Sequence, residues 1–238
     1  AMTAGAIDMG YVGEAPATIG HARGNTGIAF IAQVNTGGSA LVVGKASQAK
    51  TVSDLVGLRI AVPGNGTGQD FLLRRALKQN AVKAGDLRII TLPASEMIQA
   101  LESGQIDGFL AWQPYPSRAV LKGAGRILAD SATLWPGHPC CCLVSDVRLI
   151  ENGVAAKVVA AHRKAISYIK DHPEEVLAIA QKKTGMDARE IGEAMQHVTY
   201  QTEAAVEGEE EYVRFLNTLK YISVDVDSFL SSFLRPLK

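Results

Sequence analysis

Two stretches of this chain, 99 residues apart, carry the same pattern, and few folds can hold both. Residues 1–24 read AMTAGAIDMGYVGEAPATIGHARG, and residues 100–123 read ALESGQIDGFLAWQPYPSRAVLKG. At that offset Ala1 meets Ala100, Gly5 meets Gly104, Ile7 meets Ile106 and Asp8 meets Asp107; with a slip of one, Pro16 falls beside Pro114. Each copy reads as a helix end, a glycine cap, a short strand and a proline-bearing turn into another helix. Either the chain contains a structural repeat, or two unrelated αβα units happen to share these signals.

The second copy has a preamble. Residues 58–80, LRIAVPGNGTGQDFLLRRALKQN, and 87–101, LRIITLPASEMIQAL, read as strand, glycine loop, helix, strand and helix. Leu72, Leu73, Ala76 and Leu77 mark the buried stripe of the first helix. Nothing comparable precedes Ala1, so a true repeat predicts an opening strand–loop–helix of roughly 40 residues ahead of it. Alternating strands and helices predict an α/β fold with parallel, doubly wound sheets. Two such sheets in tandem predict two lobes with a cleft between them. Lobe 1 would hold residues 1–45 and 140–238 and be incomplete at its start; lobe 2 would hold 46–139. Segments 41–57 and 136–145 suit the crossings, and the helical pattern after Ile150 suits packing on lobe 1. The run EGEEE at 207–211 suits a solvated helix start, where acids favour the helix dipole.

Composition narrows the function. Lys and Arg total 24 and Asp and Glu total 24, giving a formal net charge of zero. That excludes the basic field that non-specific nucleic-acid binding needs. No apolar run approaches the roughly 18 residues of a membrane span, and no charged segment leads into an apolar run of the secretory-signal type. The loop PGNGTGQD lacks the Lys-Ser/Thr of a P-loop, and Gln69 stands where a dinucleotide fingerprint needs its third glycine. What survives is a glycine-rich helix start that brings free N–H donors close to a ligand. Alternatively the turn caps itself, since Thr67 and Asp70 are spaced as a capping box. There is no His-x-x-x-His pair and no Gly-x-Ser-x-Gly elbow.

GAIDMGYVGEAPATIGHARG, DLVGLRIAVPGNGTGQDFLLRRAL, ALESGQIDGFLAWQPYPSRAVLKGAGRIL and the segment from HPCCCLV to AAHRKAISYIKDHPEEV follow one another in an order that resembles solute-binding proteins of ABC importers. The likeness is to the nitrate/sulfonate/taurine type, which shares its fold with pyrimidine-precursor binding proteins. The resemblance implies a two-lobed periplasmic-binding-protein-like fold and no catalysis or cofactor. It implies a small-molecule ligand, a membrane permease as partner, and a place in the periplasm or tethered outside the cell. Three turns are then implied as ligand contacts: Gly13, Glu14 and Ala15; Asn65, Thr67, Gly68 and Gln69; and Trp112, Gln113 and Tyr115. Trp112 either stacks on a ligand or sits in the core. Glu14 either takes a ligand ammonium or caps a helix. Together Glu14 and Asp70 favour an amine-bearing or uncharged ligand over nitrate.

The three cysteines, Cys140, Cys141 and Cys142, leave a rival open. The cysteine-rich motif of fungal synthases of the thiamine pyrimidine precursor resembles this run, though the last cysteine of that motif is absent. His138 with Cys140 and Cys142 would then form a metal site, Cys140 and Cys142 sharing one strand face while Cys141 points away. The other reading is buried structural cysteine. A sensor domain would use the same architecture, and an incomplete sheet would offer an edge for self-association.

Overall fold

The computed structural model describes residues 1–24 and 27–237. In chain order its elements are β1 (Met9–Gly13), α1 (Glu14–Ala22), β2 (Ile28–Gly37), β3 (Ser39–Gly44), β4 (Arg59–Val62), α2 (Gly68–Gln79), β5 (Arg88–Thr91), α3 (Ala94–Glu102), β6 (Gly108–Trp112) and α4 (Tyr115–Leu121). There follow β7 (Gly125–Asp130), α5 (Ser131–Leu134), β8 (Pro139–Asp146), α6 (Val147–Glu151), α7 (Val154–Asp171), α8 (Pro173–Thr184), α9 (Ala188–Gln196), β9 (Val198–Tyr200), α10 (Val206–Thr218) and α11 (Val226–Phe233). The residues fall into two compact units. The first holds Ala1–Thr36, Gly137–Val176 and Thr199–Lys238, and the second holds Gly37–Pro136 and Leu177–Val198.

The first unit is built on a four-stranded sheet ordered β1-β8-β2-β9. Both faces are covered, which is why β2 opens on an unbroken apolar run, residues 28–32. Phe30 joins Val144, Val213, Leu216, Phe229 and Phe233 on the face of α10 and α11. Ile31, its chain neighbour, joins Leu143, Ala155 and Val159 on the face of α7. The period of two along a strand puts consecutive residues into separate cores.

The second unit is built on a five-stranded sheet ordered β5-β4-β6-β3-β7. Its core gathers Val42, Ala61, Met97, Ile98, Leu101 and Phe109, with Phe109 fully buried. β4 runs parallel to β5 and to β6, as strand–helix–strand crossovers require. β3 runs antiparallel to both β6 and β7. In the first unit β8 likewise runs antiparallel to β1 and β2. The sheets are therefore mixed, and the expectation of purely parallel sheets is corrected at these two strands. The segments 41–44 and 139–145, expected to lie in crossings, are parts of β3 and β8 in the middle of sheets. Their apolar residues (LVV and CCCLV) are what a strand with neighbours on both sides requires.

The 99-residue repeat is visible in the backbone. β1 spans residues 9–13 and β6 spans 108–112, and each leads into a helix, α1 and α4. Gly5 N donates to Met2 O and Ala6 N to Ala1 O; Gly104 N donates to Leu101 O and Gln105 N to Ala100 O. Both glycines are left-handed, at φ 66° and 69°, as the turn that closes a helix end demands. In each unit an antiparallel strand sits between the two strands joined by the helix: β8 between β1 and β2, β3 between β6 and β7.

Two expectations about the later helices are corrected. Residues 177–198 belong to the second unit, not the first. There Arg118 of α4 grips Glu190 of α9, its Nε donating to both carboxylate oxygens at 3.1 and 3.0 Å and Nη2 to Oε2 at 2.9 Å. Nor is EGEEE a solvated run: Glu209 is completely buried.

Candidate functional site

In the second unit, the turns after β4 and β6 lie at the carboxyl ends of adjacent parallel strands, the edge where open α/β sheets bind ligands. The glycine loop starts α2 by capping itself in part. Thr67 is the N-cap, and its hydroxyl donates to Gly64 O at 2.7 Å while accepting from Asp70 N at 3.3 Å. The Asp70 carboxylate returns one residue further back than an ordinary capping box, to Gly66 N at 2.9 Å. Its other oxygen pairs with Arg74 at 2.7 Å. Asp70 is thus buried and neutralised, not facing a ligand. Two donors of the first turn, Gly68 N and Gln69 N, have no acceptor among the described residues. The Gln69 side chain is buried and donates to Ser39 Oγ at 3.1 Å; Asn65 is exposed.

Trp112 is 38% exposed and meets Tyr115 edge-on at 6.1 Å between centroids. It is not a core aromatic. Gln113 accepts from Ser117 N at 3.3 Å and so caps the start of α4, while its own N–H donates to Gly38 O at 2.7 Å. This edge also holds residues that sequence reasoning passed over. Ser39, paired with Trp112 in the sheet, receives the Gln69 amide, and its N–H donates to Ser131 Oγ at 3.2 Å. A lone serine opening an apolar strand carries no signal of that position.

In the first unit, Gly13 precedes α1 without a side-chain cap. Ala15 is buried, and so is Glu14, whose side chain turns inward. Glu14 Oε2 accepts from Gln33 Nε2 at 2.5 Å, and Gln33 also donates to Cys141 O at 3.0 Å. Thr18 donates to Glu209 Oε1 at 2.6 Å. The remaining oxygens, Glu14 Oε1 and Glu209 Oε2, have no protein donor. Burial pushes the Glu14 carboxyl up to about 7, against the opposing hydrogen bond from Gln33. Burial and the Glu14 charge push Glu209 well above the usual carboxylate range. Two carboxyls so placed hold a proton between them at neutral pH. Glu14 therefore neither caps its helix nor faces a ligand ammonium. Gln33 and Asn35, polar residues inside an apolar strand, were the available sign of this buried network.

The cysteines depart from regular strand alternation. Asn35 pairs with Cys141 and Thr36 with Pro139, so Cys140 is an extra residue on β8. This bulge brings Cys140 and Cys141 together, with their sulfurs 3.9 Å apart. Cys142 is buried. His138 is buried as well, which holds its imidazole neutral down to about pH 4. Among the described residues no group of three or more His, Cys, Asp or Glu is arranged to hold a metal ion, the His138, Cys140 and Cys142 set included. Among them, too, no helix is long and apolar enough to cross a membrane.

Residues 1–184 match the NMT1-like family. The chain belongs to the NMT1-like family. This NMT1-like chain is 31% identical over 195 residues to the taurine-binding periplasmic protein of Escherichia coli K12, covering 80% of this chain and 52% of that protein. Its backbone follows that of the periplasmic aliphatic sulphonate-binding protein SsuA of Escherichia coli with a TM-score of 0.86 at 24% identity, covering 99% of this chain and 78% of that one. The periplasmic nitrate-binding protein NrtA of Synechocystis PCC 6803 follows at 0.81 and 16% identity, covering 99% and 73%. These likenesses show the α/β fold of periplasmic binding proteins. The chain spans 52% of the length of that taurine-binding protein and 62% of that of a putative aliphatic sulfonates-binding protein of Escherichia coli K12.

Proposed function

We propose that this chain captures a small anionic solute, of the sulfonate, taurine or nitrate class, for an ABC importer. It does so outside the cytoplasm, delivers to a membrane permease and performs no chemistry on its cargo. The observation that carries this reading is the start of α2. Gly68 N and Gln69 N stay unpaired among the described residues, while the Asp70 charge is offset by Arg74 and Gly66 N. A helix start with free N–H groups and its acid neutralised favours an anion. The leaning towards an amine-bearing ligand rested on Glu14 and Asp70, and both are engaged inside the protein. The names of the relatives support the same class of solute. Trp112, at the end of the adjacent strand β6, offers an exposed aromatic surface suited to an alkyl or flat organic group. The turn Gly13, Glu14 and Ala15 is the first unit's candidate, through its backbone rather than the Glu14 side chain.

Gly68→Pro tests this directly. Gly68 is the first helical residue, where proline is well tolerated. Thr67 before it has φ −76° and ψ 160°, the extended conformation that proline imposes on its predecessor. The substitution deletes one donor and leaves the fold. Calorimetric titration with taurine, an alkanesulfonate and nitrate should show saturable binding of at least one to the natural chain. The same ligand should bind the variant about tenfold or more weakly, the worth of a hydrogen bond to a charged group. An affinity unchanged by Gly68→Pro, or no binding of any of these anions, overturns the proposal.

A further inference from the structure

We infer that Cys140 and Cys141 form a vicinal dithiol that a small disulfide oxidises reversibly to a Cys140–Cys141 disulfide. In a regular strand, neighbouring side chains point to opposite faces and their sulfurs cannot meet. Here the bulge in β8 places them 3.9 Å apart, and both residues are only half-buried. Cys142, one residue on, pairs with Val12 and Gln33 and is buried, which excludes it from the pair. The contact also divides the roles. The hydrogen bond between the thiols lowers the Cys141 thiol and raises that of Cys140, so Cys141 is the better attacking group.

The exchange balances without any other reactant. The Cys141 thiolate attacks one sulfur of the small disulfide, forming a mixed disulfide and releasing one thiolate. Cys140 Sγ then attacks Cys141 Sγ, and the second small thiolate leaves. The two cysteine protons end on the two released thiols. The protein gives up two electrons, and the small disulfide takes them. Oxidising compartments supply such disulfides.

The bond brings the sulfurs from 3.9 Å to about 2 Å, and the backbone of the bulge must follow. Cys141 O accepts from Gln33 Nε2, which also holds Glu14, and Cys141 lies opposite Gly13. Oxidation therefore pulls on the turn that starts α1.

The test is intact-mass analysis of the reduced chain after incubation with oxidised glutathione, followed by alkylation and peptide mapping. The natural chain should lose two hydrogens within the peptide that holds Cys140 and Cys141, and Cys142→Ala should behave the same way. Cys140→Ser should stop at a stable glutathione adduct on Cys141. Reduction with dithiothreitol should restore the starting mass. Three unmodified thiols in the natural chain, a glutathione adduct that persists there, or a disulfide that includes Cys142 would each overturn the inference.

Discussion

At pH 8 the Glu209→Gln chain is more stable to denaturant than the natural chain by about 1–3 kcal/mol, while near pH 5 the two agree within about 1 kcal/mol. The reason is the buried carboxyl pair of the first unit. In the folded chain Glu14 holds its proton up to about pH 7, and Glu209 holds its own higher still. In the unfolded chain both release theirs near the ordinary value of 4.5. Between those limits the native state binds more protons than the unfolded state, so stability falls as pH rises. It is fully present below about pH 4.5 and is lost on passing through 7. With one pKa unit equivalent to about 1.4 kcal/mol, Glu14 alone accounts for a loss on the order of 3 kcal/mol across the window.

Glutamine at 209 keeps an oxygen for the Thr18 hydroxyl and puts a permanent N–H in place of the carboxyl that interacts with Glu14. Glu14 can then ionise next to two amide donors instead of a second carboxyl. The natural chain should lose stability from pH 5 to 8 in urea titrations, and the variant should lose much less. A natural chain whose midpoint is flat over that range would sink the idea. So would a variant weakened equally at both pH values.

Gly108→Ala costs the fold about 3 kcal/mol, the upper end of what overpacking usually does. Gly108 opens β6, between β4 and β3. A methyl group there would stand 2.6 Å from Val42 O, 3.1 Å from Ile60 Cδ1 and 3.3 Å from Val43 Cγ1. The nearest of these is backbone of a central strand, which cannot swing aside as a side chain would. Gly125, opening β7 on the other side of β3, is held the same way, 2.8 Å from Val43 O and 2.7 Å from Val42 Cγ1. β3 therefore runs through a slot that admits only glycine at those two places. The control is Gly85→Ala, which meets nothing within 4 Å and should shift stability by no more than about 0.5 kcal/mol. Thermal or urea unfolding of the three chains settles it. Gly108→Ala indistinguishable from Gly85→Ala would mean that the sheet yields there.

Much of this architecture is legible before any coordinates. The offset of 99 lines up two strands residue for residue and two left-handed glycines with the same hydrogen bonds, because a helix-closing turn has narrow demands on sequence. The capping role of Thr67 and the buried stripe Leu72, Leu73, Ala76 and Leu77 follow from local spacing in the same way. The site was less legible. Four expected contacts, Glu14, Thr67, Gln69 and Gln113, use their side chains for internal hydrogen bonds. Their residue types alone do not tell a ligand contact from a network member.

What the sequence determined alone is local: which segments are strands or helices, where they cap, and which face of each is apolar. These depend on neighbours three or four residues apart. Only the tertiary structure decided that β3 and β8 run against their neighbours, that Glu209 pairs with an acid 195 positions away, and that a bulge turns Cys140 towards Cys141. Each of these depends on the register of strands distant in the chain. A shift of one residue there reverses every side chain, and no local pattern records it.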